Sequence, residues 1–204
     1  MHLTGRAARR FVRGAALLGL FACCAPAAAA QDVLMTTGGL SRGSVEITGY
    51  PVLIPQDDDE LGVFARGAYG LTERLAVRAS LGFYNDLTYL GAMGDLRMPG
   101  KLPVDLTLSL GVHRSGFKES ADIIGFDVAL VGRHRLASRV ALYGGFDLDF
   151  ELPDAPFDAF TRARIVAGID TRIVANVALL IEGGLGFNDR SPDYLSAGLA
   201  VRLR

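Results

Sequence analysis

The chain alternates apolar residues with polar or small ones at every second position, segment after segment, from about Val45 to its end. The clearest example is the stretch 104–113, VDLTLSLGVH, which is apolar at every even position and polar or glycine at every odd one. A period of two is the side-chain period of an extended strand, because successive side chains point to opposite faces. Ten such segments in succession predict a closed antiparallel sheet, since an open sheet would leave unpaired edges.

Turn signals separate these segments, and two kinds of break alternate along the chain. One kind is short, as at 70–73, and the other is mostly longer and more acidic, as at 55–60. From these breaks we predict ten strands, near 44–54, 60–70, 74–84, 87–98, 103–114, 121–133, 139–151, 157–171, 176–187 and 193–204. The first is the least secure because Pro51 cannot donate to a ladder. Eight strands, with residues 31–58 as an irregular plug or arm, is the alternative count.

The first thirty residues have the layout of a secretory signal peptide. A basic start is followed by an apolar centre at 15–24 and a small-residue tail at 27–30. Cleavage there would leave an N-terminal extension at 31–43 and a barrel domain at 44–204. The removed segment holds four of the 21 Lys and Arg and none of the 22 Asp and Glu. The remaining chain is therefore net acidic, which argues against nucleic acid as a partner.

Both cysteines, Cys23 and Cys24, lie within that segment. A mature chain would therefore contain neither a disulfide nor a thiolate metal ligand. The alternative is a lipoprotein processing box at 20–23, in which Cys23 would carry the lipid. Phe21 fits such a box poorly, so we favour the signal peptide.

Hydropathy favours a barrel that spans a membrane. Half of the residues are hydrophobic, yet no apolar run after residue 30 approaches the length of a membrane helix. In a membrane barrel each strand adds one apolar stripe towards lipid and one polar face towards the lumen. The charged face then forms a lumen network of fourteen residues: Arg66, Arg78, Asp95, Arg97, Asp105, Asp127, Arg133, Asp147, Asp149, Arg162, Arg164, Asp170, Glu182 and Arg202. A soluble, lipocalin-like periplasmic barrel would invert the pattern and enclose a ligand in an apolar cavity.

The choice of charged and aromatic residues supports the membrane arrangement. After residue 30, lysine occurs only at Lys101 and Lys118, both in predicted turns or loops, so every strand cation is Arg. Its planar guanidinium suits a crowded lumen in which charges must be paired. Aromatic residues concentrate near the strand ends beside the longer loops, as in an interfacial girdle.

Ten strands enclose an interior only modestly wider than eight strands do. We therefore expect ion pairs to fill the lumen, with a narrow charge-lined channel as the alternative. Inner-face glycines would relieve crowding around Arg and Tyr, or leave a thin water path: Gly62, Gly82, Gly91, Gly111, Gly168, Gly184 and Gly198.

The whole pattern resembles small bacterial outer-membrane β-barrels of the outer-membrane protein A and X type. The resemblance covers 44–204, and its best local marker is the strand, turn and strand at 69–78, YGLTERLAVR. The last strand alternates like an assembly signal, although it ends in Arg204 instead of an aromatic residue.

The resemblance implies an all-β, up-and-down transmembrane barrel, exported to the outer membrane of a Gram-negative bacterium. It implies outer-membrane lipid, lipopolysaccharide and the barrel-insertion machinery as partners. It implies no cofactor and no particular oligomeric state. The function that follows is a structural or surface-interaction role.

One candidate for catalysis stands at the outer end of the predicted fifth strand. His113 and Ser115 are two residues apart and share a face, and Asp122 or Asp127 on the next strand would be the third member of a triad. The pair resembles that of outer-membrane lipid A deacylases, although the flanking aromatic and Asn positions of that family are absent. A hydrolase is therefore an alternative function, and a structural strand-end histidine is the preferred interpretation.

A run of acidic residues is the one candidate for metal binding: Asp57, Asp58, Asp59 and Glu60. Oxygen ligands suit calcium or magnesium, but the run lacks the spaced ligands and glycine of a dedicated calcium loop. A solvated acidic loop is the preferred interpretation. The sequence contains no phosphate-binding loop, dinucleotide fingerprint or zinc-spaced His and Cys set. We therefore predict neither a metal nor a cofactor.

Overall fold

The computed structural model describes residues 39–55, 60–84, 87–100, 103–117, 122–154 and 158–203. The predicted signal peptide, the acidic residues 57–59 and both lysines after residue 30 lie outside these ranges. The described residues include no helix long and apolar enough to cross a membrane. The strands are β1 (Val45–Ile54), β2 (Glu60–Gly70), β3 (Leu75–Tyr84), β4 (Leu87–Arg97), β5 (Asp105–Phe117), β6 (Ile123–Arg135), β7 (Val140–Pro153), β8 (Phe160–Val174), β9 (Val177–Gly186) and β10 (Tyr194–Leu203).

The ten strands form one closed antiparallel barrel. Each strand pairs with its neighbours along the chain, and β1 closes the cylinder against β10. This confirms the predicted all-β, up-and-down barrel. The eight-strand alternative is wrong, because β1 pairs along its length with β2 and also with β10.

The barrel has two distinct ends. We call the end that carries the start of β1 and the end of β10 the termini end; the turns after β2, β4, β6 and β8 lie there too. The opposite end, which carries the connections after β1, β3, β5, β7 and β9, is the loop end.

Pro51 is accommodated where the β1–β10 ladder is interrupted. The pairing passes from Gly49 opposite Leu199 to Val52 opposite Ser196, with no partner in β10 for the two residues between. Proline has no N–H to donate, so a gap in the ladder is where a strand tolerates it. Its carbonyl instead accepts a hydrogen bond from the Ser196 hydroxyl at 2.8 Å.

Burial alternates along the strands with the apolar side chains outside. In β3 the pattern runs exposed and buried in turn through all ten residues. Large apolar residues point outwards around the barrel, including Phe83, Leu110, Phe146 and Leu195, each about half exposed. Such a continuous apolar outer surface is that of a barrel surrounded by lipid. The inverted, lipocalin-like arrangement is therefore wrong.

Some strands extend further than the sequence pattern indicates. The predicted fifth strand stops at 114, but β5 continues to Phe117 because Ser115 pairs with Ile123 of β6 and Phe117 pairs with Leu87 of β4. Ile123 pairs in turn with Pro153 at the end of β7. Pairing with neighbouring strands, and not the local sequence, extends the sheet at the loop end.

A short segment before β1 folds against the termini end. Leu40 is buried with Ala68 of β2 and Ala76 of β3. The chain then turns at Gly43, whose φ of 79° lies in the left-handed region that favours glycine. The Gly43 N–H donates to the Gly70 carbonyl at 2.8 Å. This segment, residues 39–44, is the N-terminal strap.

Candidate functional site in the barrel lumen

The charged residues predicted for the lumen fall into two groups. Eight are buried: Arg66, Arg78, Asp127, Asp147, Asp149, Arg162, Arg164 and Glu182. The other six lie nearer the termini end and are partly or fully exposed: Asp95, Arg97, Asp105, Arg133, Asp170 and Arg202. The buried group is concentrated in the middle of the barrel and towards the loop end.

His113 lies at the centre of the buried group, between two carboxylates. Its Nδ1 is 2.6 Å from Asp127 Oδ1, and its Nε2 is 3.0 Å from Glu151 Oε2. Both carboxylates are satisfied together when both ring nitrogens carry hydrogens, because each nitrogen then donates. The histidine side chain is fully buried, and its ring stacks on Tyr89 with the centroids 5.2 Å apart. We call His113, Asp127 and Glu151 the histidine clamp.

The clamp joins three strands because β6 has a glycine where the histidine crosses it. His113 of β5 pairs with Gly125 of β6, which pairs with Glu151 of β7. A Cβ at position 125 would overlap the imidazole ring and lie 2.9 Å from Glu151 Oε2. The missing side chain therefore opens the route from β5 to β7.

Arginine and aromatic side chains extend the clamp towards the loop end. Arg162 Nη1 lies 3.4 Å from Glu151 Oε1. The Arg162 guanidinium is 5.2 Å from the centre of the Phe160 ring, and the Arg190 guanidinium is 4.7 Å from the same ring. Phe160 thus has a cation–π contact with one buried and one exposed arginine.

A second set of contacts continues around the wall. Arg164 Nη2 lies 3.4 Å from Asp149 Oδ2, and its guanidinium is 5.7 Å from the centre of the Tyr194 ring. The Tyr194 hydroxyl donates to Glu182 Oε1 at 2.6 Å. These contacts join β7, β8, β9 and β10 on the inside of the barrel.

Four ion pairs lie nearer the termini end. They are Arg78–Asp95 at 3.3 Å, Arg97–Asp105 at 2.7 Å, Arg133–Asp170 at 2.9 Å and Arg202–Glu46 at 2.6 Å. Opposite charges on neighbouring inner positions thus neutralise each other along the lumen.

Buried aromatic rings cover glycines of the neighbouring strand. In four cross-strand pairs a Cβ on the glycine would overlap the opposite ring: Phe64 with Gly82, Tyr84 with Gly62, Tyr143 with Gly168, and Tyr194 with Gly184. The aromatic rings fill the space beside these four glycines, so no water path opens there. A void of about 10 Å³ remains beside Asp127, Asp147 and Asp149, which is room for about one water molecule.

Sequence reasoning missed two members of the network, Glu46 and Glu151. Glu46 is buried near the start of β1, and Glu151 has no exposed surface. Glu151 lies two residues after Asp149 and shares its face, so the alternation in β7 indicates its inward position. Glu46 lies in the strand that contains Pro51, where the prediction was least secure.

The catalytic candidates lie close together, but their surroundings are those of a packed interior. Asp127, one of the two acids predicted as a third triad member, bonds His113; Asp122, the other, pairs with Arg114. Ser115 has no exposed surface. A serine hydrolase needs a histidine nitrogen free to take the serine proton, and here both nitrogens face carboxylates. This geometry suits a structural contact.

The acidic run at 57–60 lies mostly outside the described residues. Of its four members only Glu60 is described, at the first position of β2. Among the residues that the structure covers, no group of three His, Cys, Asp or Glu side chains is arranged to hold a metal ion.

A family model described as "outer membrane protein beta-barrel domain" matches residues 15–196. Among solved structures, the translocator domain of the autotransporter NalP from Neisseria meningitidis is 13% identical, with 97% of this chain and 95% of that chain covered and a TM-score of 0.49. An outer membrane channel from Pseudomonas putida F1 is 11% identical, with 88% and 100% covered and a TM-score of 0.49.

The outer membrane protein Ail from Yersinia pestis is 15% identical, with 79% of this chain and 100% of that chain covered and a TM-score of 0.40. The comparison with curated proteins finds no match. The family match takes in β1 to β9 and the start of β10.

Proposed function

The chain belongs to the outer membrane protein beta-barrel domain family, and from that premise we propose that it is a structural barrel whose lumen is closed to ions and solutes. The histidine clamp is the observation that carries this proposal, because it ties β5, β6 and β7 together across the inner wall. The partners in this role are the outer-membrane lipid and lipopolysaccharide around the apolar belt, and the insertion machinery during assembly.

Electrostatics supports a closed lumen. A water path along the axis would have to separate paired charges or move buried rings from the glycines that they cover. An ion pair that loses one partner inside a protein leaves an uncompensated charge, which costs several kcal/mol. The packed arrangement is therefore the stable one.

Barrel size supports the same conclusion. Eight strands leave an interior that side chains just fill, and porins with open aqueous channels have 16 or more. Here the side chains that point inwards include many large ones, with Arg66, Arg164, Tyr50 and Tyr89 among the most deeply buried. Ten strands lined by such side chains leave little continuous free space.

The test is single-channel recording on the full chain refolded into planar lipid bilayers. We expect no discrete conductance steps from the wild-type barrel. The matched variant is Arg164→Ala with Tyr194→Ala, which deletes two large buried side chains in contact with each other. It should conduct if those side chains close the lumen. Reproducible steps from the folded wild-type protein would replace the closed barrel with the narrow-channel alternative.

A hydrolytic role for His113 and Ser115 is outside this proposal, because the serine is buried and the histidine is engaged at both nitrogens. The check is release of fatty acid from lipopolysaccharide by the refolded protein. Release that disappears in Ser115→Ala while the barrel remains folded would establish the deacylase alternative instead.

A further inference from the structure

Three exposed arginines lie on the inner face of the barrel wall at the termini end. Arg135 ends β6, Arg139 directly precedes β7, and Arg172 lies near the end of β8. Strand alternation places Arg135 on the face of buried Val131, and Arg172 on the face of buried Arg164. The Arg172 N–H donates to the Arg139 carbonyl at 2.7 Å, so these two residues stand opposite each other and share the inner face. We call Arg135, Arg139 and Arg172 the arginine cluster.

No described acid forms an ion pair with the arginine cluster. The ion pairs at the mouth of this end use other arginines: Arg97 with Asp105, Arg133 with Asp170, and Arg202 with Glu46. Like charges that stand directly opposite on neighbouring strands destabilise a sheet. Arg139 and Arg172 are such a pair, so an anion held between their guanidinium groups would remove an unfavourable interaction.

The described part of the N-terminal strap packs on other strands of the same mouth. Leu40 is buried with Ala68 of β2 and Ala76 of β3. A Cβ on Gly39 would lie 3.3 Å from Cδ of Arg97 in β4. The arginine cluster stands on the β6, β7 and β8 part of the wall, and each of its members is exposed. Solutes on the side of the membrane that the termini end faces can therefore reach it.

Packed side chains lie directly inside the cluster. Ala141 stands opposite Arg135 and is buried. Two residues further along β7, buried Tyr143 stands opposite Arg133, and its ring fills the space beside Gly168. An anion that reaches the cluster is therefore stopped at the mouth, which suits binding and not passage through the lumen.

We propose that the arginine cluster binds a small soluble oxyanion that carries at least two negative charges, of the phosphate or pyrophosphate type. A guanidinium donates two parallel hydrogen bonds to phosphate oxygens. Residues directly opposite on neighbouring strands are about 5 Å apart, so Arg139 and Arg172 can hold one phosphate group from two sides. The inward position favours a soluble anion over a lipid headgroup, because the surrounding lipid meets the opposite face of the wall.

Arg135 extends the same site. It pairs with Ala141, two residues beyond Arg139, and is therefore the diagonal neighbour of Arg139 at about 7–8 Å. From there its guanidinium can reach a second phosphate group of the same anion. Pyrophosphate should therefore bind more tightly than inorganic phosphate, and chloride, which has a single charge and no oxygen pair for a guanidinium, should bind least.

The test is isothermal titration calorimetry of inorganic pyrophosphate into the full chain refolded in a maltoside detergent, which contains no phosphate. We expect saturable binding of one pyrophosphate per barrel in the wild type. Replacing Arg139 and Arg172 together with Gln should weaken that binding by at least about tenfold, because two sets of charge-assisted hydrogen bonds are lost. A ligand that binds the folded state stabilises it. Pyrophosphate should therefore raise the urea midpoint of the wild type and leave that of the double variant unchanged.

Arg42→Gln with Arg74→Gln is the matched control. It removes the same charge from the same end, but on the strap and the turn after β2. At about 0.15 M ionic strength, where charges more than about 8 Å apart are largely screened, it should change the affinity by less than about twofold. Equal weakening in the two double variants would assign the binding to net charge and overturn the proposal.

Two other results overturn it as well: no saturable binding to the wild type, or an unchanged affinity in the folded variant of Arg139 and Arg172. Heat-modifiable gel mobility verifies that each protein is folded. If the variant of Arg139 and Arg172 does not fold, Arg135→Gln decides. It should weaken pyrophosphate binding by about threefold while leaving phosphate binding nearly unchanged, and equal effects on the two anions would contradict the proposed arrangement.

Discussion

The imidazole of His113 crosses over Gly125, the residue opposite it on the neighbouring strand, and reaches Glu151 two strands away. A period-two ladder normally places side chains beside their direct neighbours, so contact across an intervening strand needs a position without a side chain. Gly125 therefore has a packing role although it has no side chain, because it leaves room for the His113 ring. The stability of the lumen depends on it.

Gly125→Ala should destabilise the barrel by at least about 1–3 kcal/mol, because an added Cβ overlaps the His113 ring in a packed interior. Urea titration in lipid vesicles, followed by gel mobility, measures the free energy of unfolding. The matched control is Gly67→Ala, where the outward-facing position has nothing within 4 Å. Equal losses in the two variants would show that the effect comes from β-strand backbone and not from the clamp.

Replacing the clamp histidine should destabilise more strongly. His113→Leu leaves Asp127 and Glu151 buried without their shared partner, and breaking a buried ion pair costs about 3–5 kcal/mol. Adding Asp127→Asn should restore part of that loss, because it removes the carboxylate that was paired with His113, whereas Glu151 keeps its contact with Arg162. His134→Gln, at an exposed position, is the control and should change stability by less than about 0.5 kcal/mol. A double variant no more stable than His113→Leu would contradict the role given to Asp127.

The Tyr194 hydroxyl provides a narrower test of the lumen network. Tyr194→Phe keeps the ring over Gly184 but removes the donor to Glu182, and we expect a loss of about 1–3 kcal/mol because the carboxylate is buried. Tyr69→Phe, on the exposed outer face, makes the same chemical change as a control. Both can be measured by equilibrium unfolding in the same lipid, and indistinguishable midpoints would mean that the bond to Glu182 contributes nothing.

The N-terminal strap should detach without unfolding the barrel. Leu40→Ala removes apolar contacts with Ala68 and Ala76, and Gly43→Ala places a Cβ at a φ of 79°, which costs about 1–2 kcal/mol. Either change should speed proteolysis within residues 39–44 while the urea midpoint of the barrel stays the same. Mass spectrometry of the digest locates the cut. A matching fall in the barrel midpoint would instead make the strap part of the cooperative core.

Periodicity determines which face a residue occupies, and that part of the lumen was predictable. Arg164 and Glu182 lie inside because their positions alternate with apolar ones in strands whose other face meets lipid. A period of two does not determine which residue stands opposite which, because register depends on loop geometry and pairing. For that reason the route from His113 over Gly125 was not apparent from the sequence.

Other features depend on closure of the whole sheet. The extension of β5 through Ser115 follows from its pairing with β6, although the sequence there is polar and glycine-containing. The charge at the termini end emerges when exposed arginines from the strap, from the turns after β2 and β6 and from the end of β8 are brought to one end of the barrel. Each turn alone, such as the one between Arg135 and Arg139, is an ordinary solvated hairpin.

The β1–β10 pairing also determines when the barrel closes. The other pairings in the described barrel join strands consecutive along the chain, so each can form as a local hairpin, whereas Val45 meets Leu203 from the far end of the domain. Until that contact forms, the intermediate is a ribbon with two free edges, and lipid provides no hydrogen-bond partner for them. A chain shortened by its last strand would lose the β9–β10 hairpin, keep the other hairpins and remain open on both sides. Closure therefore requires both the first and the last strand, so a chain that lacks either one cannot form this barrel.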